Sequence, residues 1–155
     1  MKRLVLLIGL LLMFSTFAQN EKLQWLSFPE LETALKDQPK RVFIHFYADW
    51  CVYCKKMEKV VYTKPNITSK LKEDYYVIKF NVESEESILF GGKTFINSDD
   101  GMKRQAYHEI ANLLAGQKNK SLELPAIVIL DENFEIEKRF FRYIPPKEML
   151  YILSN

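Results

Sequence analysis

Both cysteines of this 155-residue chain, Cys51 and Cys54, lie three positions apart, directly after a strand-like run. Arg41 to Tyr47 is rich in β-branched and aromatic residues, whereas Cys51 to Val60 has helical spacing. We therefore expect Cys51 at a helix N-terminus, where free backbone N–H groups and the helix dipole stabilise a thiolate. The pattern predicts a redox-active dithiol in which Cys51 attacks a disulfide and Cys54 resolves the mixed disulfide.

Two other roles for the cysteine pair remain open at this stage. The two cysteines, His45 and His108 could supply four zinc ligands, although the histidines lack the paired spacing of a structural zinc site. A purely structural disulfide would close so short a loop that it gains little chain entropy. Such a disulfide also would not require Trp50 directly before Cys51, so redox chemistry is the favoured interpretation.

The first residues of the chain predict a secretory signal peptide. Lys2 and Arg3 form a basic start, an apolar run follows from Leu4 to Phe14, and small residues precede an expected cut after Ala18. An uncleaved membrane anchor is the alternative, but the run is shorter than the about 20 apolar residues of a spanning helix. We therefore expect residues 19–155 to form a periplasmic or secreted domain, in a compartment where disulfides persist.

The charge of residues 19–155 argues against one class of partner. The predicted signal peptide holds two of the 22 Lys and Arg residues and none of the 20 Asp and Glu residues, so 20 of each remain. No basic tract with interleaved aromatic residues stands out, and nucleic acid is not an expected partner. The remaining length is enough for one domain with a hydrophobic core.

Helical and strand patterns alternate along the chain. Expected strands cover Arg41 to Tyr47, Tyr75 to Val82, Leu124 to Leu130 and Glu135 to Tyr143. Expected helices cover Leu31 to Leu35 after a Ser27–Glu30 capping box, Cys51 to about Val61, Ile67 to Lys72, about Met102 to Leu114, and Pro146 to Leu153. A parallel strand pair followed by a hairpin, with helices around it, is the plan of a mixed α/β sheet.

Two motifs, Trp50 to Lys55 and Leu124-Pro125, carry a resemblance to the thioredoxin superfamily, which covers nearly all of residues 19–155. The segment from Tyr47 to Val52, with Glu58, looks most like the C-terminal periplasmic domain of the transmembrane thiol:disulfide interchange reductase. The later part resembles small secreted thioredoxin-like proteins of bacteria. The resemblance implies a thioredoxin fold, with a central mixed sheet flanked by helices and a helical insert before the cis-proline strand.

The same resemblance assigns roles to individual residues. It implies that Cys51 is the nucleophile, that Cys54 is the resolving thiol, and that Pro125 faces them in a cis peptide. Such a proline would leave the backbone of Leu124 free to pair with an extended substrate. Trp50 and Tyr53 are the other expected substrate-binding residues. An ordinary trans proline that opens an edge strand is the alternative.

Two further residues are candidates for the catalytic site. His45 stands six residues before Cys51, where thioredoxins usually have a buried aspartate, and strand alternation places it on the face of Phe43. It is either the base that accepts the Cys54 proton or a packed histidine bonded to a backbone carbonyl. Glu58, one helical turn after Cys54, either tunes the cysteine pKa values or is an exposed helical glutamate.

The remaining departures from the family concern the direction of electron transfer and the choice of partner protein. Val52 and Tyr53 supply neither the proline of a thioredoxin nor the histidine of strongly oxidising periplasmic proteins, which argues for a reductase. The stretch from Glu83 to Ser121 is longer than a minimal thioredoxin needs between these strands. His108 within it is expected to be structural, although the insert could instead carry partner specificity.

The residues together predict an extracytoplasmic thiol:disulfide oxidoreductase, most simply a reductase of protein disulfides. Electrons would come from a membrane thiol-transporting reductase, because the chain has no flavin or nicotinamide motif of its own, and a monomer is expected. An oxidase or isomerase is the alternative enzyme. From a different class, the chain could be a thioredoxin-fold binding or chaperone module whose dithiol is incidental.

Overall fold

The computed structural model describes residues 22–97, 106–118 and 120–155. The helices are α1 (Phe28–Asp37), α2 (Val52–Lys56), α3 (Pro65–Asp74), α4 (Glu109–Ala115) and α5 (Pro146–Ser154), and the π-helical turn π1 (Met57–Val61) continues α2. The strands are β1 (Arg41–Tyr47), β2 (Tyr75–Asn81), β3 (Ile88–Phe90), β4 (Lys93–Phe95), β5 (Ala126–Leu130) and β6 (Ile136–Phe140). Among the described residues, no helix is long and apolar enough to cross a membrane.

A mixed sheet with the strand order β2-β1-β5-β6 forms the centre of the fold. β1 and β2 are parallel, and their register runs from Arg41 opposite Tyr75 to Tyr47 opposite Asn81. β5 is antiparallel to both β1 and β6. The parallel crossover through α2, π1 and α3 and the final hairpin confirm the expected sheet with its flanking helices.

Side-chain alternation along β1 divides the core into two layers. Ile44 and its neighbours on the same face pack with α1 and α4. Phe43, on the opposite face, packs with π1, α3 and α5. The helical segment that begins after Cys51 therefore lies on the Phe43 face, and α1 lies on the other face of the sheet.

The predicted start of α1 is confirmed in detail. The Ser27 hydroxyl accepts the backbone N–H of Glu30 at 3.4 Å, and the Glu30 carboxylate accepts the backbone N–H of Ser27 at 2.7 Å. These reciprocal bonds form a capping box, which satisfies two N–H groups that the helix itself leaves free.

Several element boundaries differ from the expected ones. β5 begins at Ala126 rather than Leu124, because the residues before it form the cis-proline turn. β6 spans Ile136–Phe140, within the longer run that the pattern predicted. The expected insert helix also begins later: residues 102–105 lie outside the described part of the chain, and α4 starts only at Glu109.

The β3–β4 hairpin was missed by the sequence analysis. Gly91 and Gly92 form its two-residue turn with φ angles of 60° and 73°. Both values lie in the left-handed region, where glycine carries no steric penalty, and a Gly-Gly pair between two short apolar runs is a hairpin signal. Most of the turn-like stretch that follows, residues 98–101, lies outside the described residues.

Candidate active site

Cys51 and Cys54 form a disulfide at the start of the helical segment, with their Cα atoms 5.3 Å apart. Cys51 is the N-cap residue of α2, and its Sγ accepts the backbone N–H of Cys54 at 3.1 Å. A sulfur in this position receives a hydrogen bond and the positive end of the helix dipole, both of which stabilise its thiolate. The predicted place of Cys51 at a helix N-terminus is therefore confirmed.

The disulfide is buried, but large exposed side chains surround it. Trp50 is 53% exposed, Val52 74% and Tyr53 58%, although apolar groups of this size are normally buried. These exposed apolar side chains form a candidate contact surface next to the disulfide. Trp50 and Tyr53, the expected substrate-binding residues, both lie at this surface next to the disulfide.

Trp50 is held in place by a residue that the sequence analysis did not single out. Its indole Nε1–H donates to Glu83 Oε1 at 2.9 Å. Glu83 follows β2 closely, while Trp50 follows β1. Because the two strands are parallel, their carboxyl ends meet at one edge of the sheet. The parallel pairing of these strands is therefore the signal from which the contact between Trp50 and Glu83 could have been predicted.

Tyr53 is supported from the other side by the loop between β6 and α5. The rings of Tyr53 and Tyr143 have centroids 6.2 Å apart, and Lys56 Nζ lies 4.7 Å from the centroid of Tyr143. The next residue fixes the loop to the redox helix, because the backbone N–H of Ile144 donates to Met57 Sδ at 3.4 Å. Tyr143 also was not among the residues expected at the site.

The peptide bond between Leu124 and Pro125 is cis, as the family resemblance implied. Ala126, the next residue, pairs with Phe46 near the end of β1. The cis-proline turn therefore lies beside the end of the strand that leads to Cys51.

His45 is fully buried on the Phe43 face, and Tyr62 is its hydrogen-bond partner. Its Nδ1 lies 3.1 Å from the Tyr62 hydroxyl, whereas its Nε2 has no partner among the described residues. Burial, with a smaller effect from the charge of Lys79, lowers the pKa of His45 to about 3. The imidazole is therefore neutral at physiological pH, and its observed bond is to a tyrosine hydroxyl rather than to a backbone carbonyl.

Glu58 lies on π1 and is part of an ionic cluster next to His45. Its carboxylate forms a 2.9 Å ion pair with Lys79, whose Nζ also lies 4.4 Å from the ring centroid of Tyr47. Burial, followed by the negative charge of Glu58, raises the pKa of Tyr62 well above its usual value. Tyr62 therefore stays protonated at neutral pH, and its neutral hydroxyl can donate to His45 Nδ1 or accept from it, according to the tautomer of the imidazole.

Lowering the pH from about 7 to 5 is expected to remove about 2 kcal/mol of stability through His45 alone. The pKa of the folded-state imidazole is about 3, whereas that of an unfolded histidine is 6.5. In this pH range only the unfolded state takes up the proton. The stability contribution of His45 is therefore complete above its unfolded-state pKa and is lost as the pH falls toward its folded-state pKa. Denaturant unfolding of the wild type at both pH values measures the loss.

The matched variant for this measurement is His45→Gln, which cannot titrate but retains an amide that can bond to Tyr62. Carboxylates that titrate in the same range affect both proteins equally. The wild type should therefore lose about 2 kcal/mol more than His45→Gln. Equal losses in the two proteins would show that the imidazole takes up its proton as readily in the folded as in the unfolded state.

His108 is an N-cap residue, not a residue within the insert helix. Its Nδ1 accepts the backbone N–H of Ile110 at 3.2 Å, and its Nε2 lies 3.0 Å from the carbonyl oxygen of Glu86. These bonds tie the start of α4 to the segment before β3, as expected of a structural histidine. The described residues contain no cluster of three or more His, Cys, Asp or Glu side chains that could hold a metal ion.

A separate cavity of about 420 Å³ opens next to Glu58 and Tyr62. The other residues that line it are Lys22, Leu23, Trp25, Thr63 and Thr68. Neither cysteine lines this cavity.

A family model described as a thioredoxin-like domain matches residues 28–155. Among curated proteins, the chain is 46% identical over 46 residues to the thiol:disulfide interchange protein DsbD of Haemophilus ducreyi and 47% identical over 45 residues to that of Vibrio cholerae. These alignments cover 29% and 27% of this chain but only 8% of each relative. The likeness is therefore limited to a small part of those proteins.

Solved structures with the same fold cover most of the chain. The oxidised C-terminal domain of DsbD from Neisseria meningitidis has a TM-score of 0.55 at 15% identity, covering 85% of this chain and 97% of that one. A protein described as DsbH oxidoreductase gives 0.56 at 17% identity, covering 86% and 84%. A thioredoxin from Thermus thermophilus gives 0.59 at 20% identity, covering 86% of each chain. At these identities the structures show a common fold.

Proposed function

The chain belongs to the thioredoxin-like domain family, and we propose that it reduces disulfides of proteins outside the cytoplasm. A member of this family with a Cys51–Cys54 disulfide at a helix N-terminus is a thiol:disulfide oxidoreductase. The observation that carries the proposal is the arrangement of Cys51, which caps α2 and is surrounded by exposed apolar side chains. The direction of electron flow, the substrates and the location are the proposed parts.

In the proposed reaction, two electrons pass from the dithiol to the partner. The Cys51 thiolate attacks one sulfur of the partner disulfide, so a Cys51–partner bond forms and the partner's other sulfur leaves as a thiolate. Cys54 then loses its proton and attacks Cys51 Sγ, which forms the Cys51–Cys54 disulfide and releases the partner's second thiolate. The two thiolates take up protons, and the partner is left reduced.

The two residues between the cysteines support the reducing direction. Val52 and Tyr53 add no cation that would stabilise the Cys51 thiolate beyond what the helix N-terminus provides. A less stabilised dithiol is a better electron donor, because a strong oxidant owes its potential to a stabilised reduced form. The oxidised protein must then be reduced by an external dithiol, and we assign that role to a membrane thiol-transporting reductase.

We propose His45 as the acceptor of the Cys54 proton in the resolving step. In the tautomer that this role requires, Nδ1–H donates to the Tyr62 hydroxyl, and the bare nitrogen is Nε2, which lacks a partner among the described residues. The low pKa of His45 makes it a weak base, so we expect it to accelerate the resolving step by a factor at the low end of the usual range for general bases. Unchanged resolution kinetics of His45→Gln between about pH 6 and 8 would contradict this assignment.

Glu58 has a related proposed role. Its carboxylate lies one turn after Cys54 and is paired with Lys79, so the two charges largely cancel. Removal of the acid would leave the Lys79 charge uncompensated, and a nearby cation lowers a thiol pKa. We therefore propose that Glu58 keeps the cysteine pKa values from falling, which supports the reducing direction.

The redox state of the pair in living cells tests the proposal. We expect Cys51 and Cys54 to be mostly reduced at steady state in the compartment outside the cytoplasmic membrane, because the electron donor of a reductase keeps its dithiol reduced. Trapping of thiols with a mass-shifting alkylating reagent after cell fractionation measures both the state and the location. A pair that is fully oxidised in the presence of the donor would indicate disulfide formation instead, and a cytoplasmic protein would contradict the location.

A further inference from the structure

The redox helix carries two exposed lysines directly after the resolving cysteine. Lys55 and Lys56 are the last two residues of α2. The ammonium group of Lys56 lies over the ring of Tyr143, at 4.7 Å from its centroid, in the geometry of a cation–π contact. Tyr143 also contacts Tyr53. We use the term docking ledge for Tyr143 together with four exposed residues of α2: Val52, Tyr53, Lys55 and Lys56.

The lysines of the docking ledge have no carboxylate partner among the described residues. Neither Lys55 nor Lys56 forms an ion pair within residues 22–97, 106–118 and 120–155. Glu58, the acid that follows them on π1, is engaged by Lys79 instead. The ledge therefore presents two cations without an ion-pair partner among the described residues, beside exposed apolar groups on the helix that Cys51 caps.

The docking ledge is held in position before any partner binds. The backbone N–H of Ile144 donates to Met57 Sδ, which ties the Tyr143 loop to the helix that carries both cysteines. Arg142 pairs with Glu148, which ties the same loop to the first turn of α5. A preorganised cation loses less conformational entropy on binding than a freely rotating lysine, so its pairing with a carboxylate contributes more to the binding free energy.

Charge complementarity determines the kind of segment that fits this surface. Resting on the proposed function, we propose that the docking ledge binds an acidic segment next to the disulfide of the partner protein. Carboxylates of that segment pair with Lys55 and Lys56, and an apolar side chain beside them packs on Val52 and Tyr53. Opposite charges on the two surfaces speed their encounter and suppress partners of the wrong charge.

Two cyclic disulfide peptides of equal length test the proposal. One carries two Asp residues beside its cysteines, and the other carries two Lys residues at the same positions. We expect the reduced protein to react about fivefold faster with the acidic peptide at low salt, in kcat/KM, and the difference to shrink in high salt. Equal rate constants for the two peptides at low salt would overturn the proposal.

Variants assign the preference to the docking ledge. The double variant Lys55→Gln, Lys56→Gln should lose the preference for the acidic peptide, whereas Lys36→Gln on α1, at the opposite face of the sheet, should keep it. Tyr143→Phe retains the ring under Lys56 and should behave like the wild type, while Tyr143→Leu should lower the preference. A preference that survives in the double variant would contradict the assignment.

The outcomes also separate this proposal from the proposed function. If the reduced protein reacts with neither peptide and with no protein disulfide, the proposed function itself is wrong. If it reacts equally with both peptides, the reductase activity stands and only the acidic preference fails.

Discussion

Replacement of Cys51 by serine is expected to lower the rate of protein-disulfide reduction by at least about 10³-fold, as loss of a catalytic nucleophile does. The serine hydroxyl cannot form the mixed disulfide, and the only other cysteine of the chain, Cys54, is fully buried and does not reach a partner sulfur readily. Turnover of a disulfide-bonded protein with a chemical dithiol as electron source measures the loss. The fold should be retained, because serine is a good N-cap residue for α2.

Cys54→Ala is the matched variant, since it removes the other sulfur and leaves Cys51 at the helix N-terminus. We expect it to attack a substrate disulfide normally and then to accumulate as a covalent complex, which electrophoresis without reductant detects. The reverse pattern, with trapping by Cys51→Ser and none by Cys54→Ala, would exchange the roles of the two cysteines. Substantial turnover by Cys51→Ser would contradict the mechanism as a whole.

We expect the reduction potential of the Cys51–Cys54 pair to be close to that of thioredoxin, which is about −270 mV. The Cys51 sulfur has one backbone donor, from Cys54, and a helix N-terminus to stabilise its thiolate, without a charged neighbour between the cysteines. Equilibration with glutathione and dithiothreitol buffers, followed by thiol trapping, gives the value. The result discriminates strongly, because for this couple each 30 mV corresponds to about 1.4 kcal/mol.

A potential near the about −120 mV of a strong periplasmic oxidant would reverse the assigned direction and indicate disulfide formation. Such a value would mean that the reduced form is stabilised by groups other than the helix N-terminus, with Lys55 and Lys56 the nearest cations in the sequence. Lys55→Gln and Lys56→Gln would then lower the potential toward that of thioredoxin. A pair that forms no disulfide at any potential would instead favour a binding or chaperone module.

Local sequence signals were sufficient for the elements that position the dithiol. The capping box at Ser27, the β-branched run of β1 and the cysteine spacing each depend on residues that are neighbours in the chain. The cis bond before Pro125 followed from a motif shared with a family, not from the periodicity of the chain. Elements whose signal is local could therefore be predicted with their type and order, although their ends moved by a few residues.

Contacts between distant residues could not be predicted in the same way. Trp50 and Glu83 are 33 positions apart, and their bond depends on the register in which β1 and β2 pair. The contact of Tyr53 with Tyr143 depends on where the last hairpin returns to the redox helix. Sequence patterns show which face of a strand or helix is apolar, but they do not show which surface side chains will meet across elements.

His45 shows the division between sequence and tertiary structure most directly. The sequence by itself determined that a histidine lies on the same face of β1 as Phe43, six residues before the nucleophile. Only the tertiary structure decided its chemistry, because complete burial and the nearby Lys79 lower its pKa to about 3, while Tyr62 takes one ring nitrogen. The sequence gives the type and position of a residue. Its protonation state depends on its solvent exposure, on neighbouring charges and on hydrogen-bond partners, all of which are set by the packing of distant segments around it.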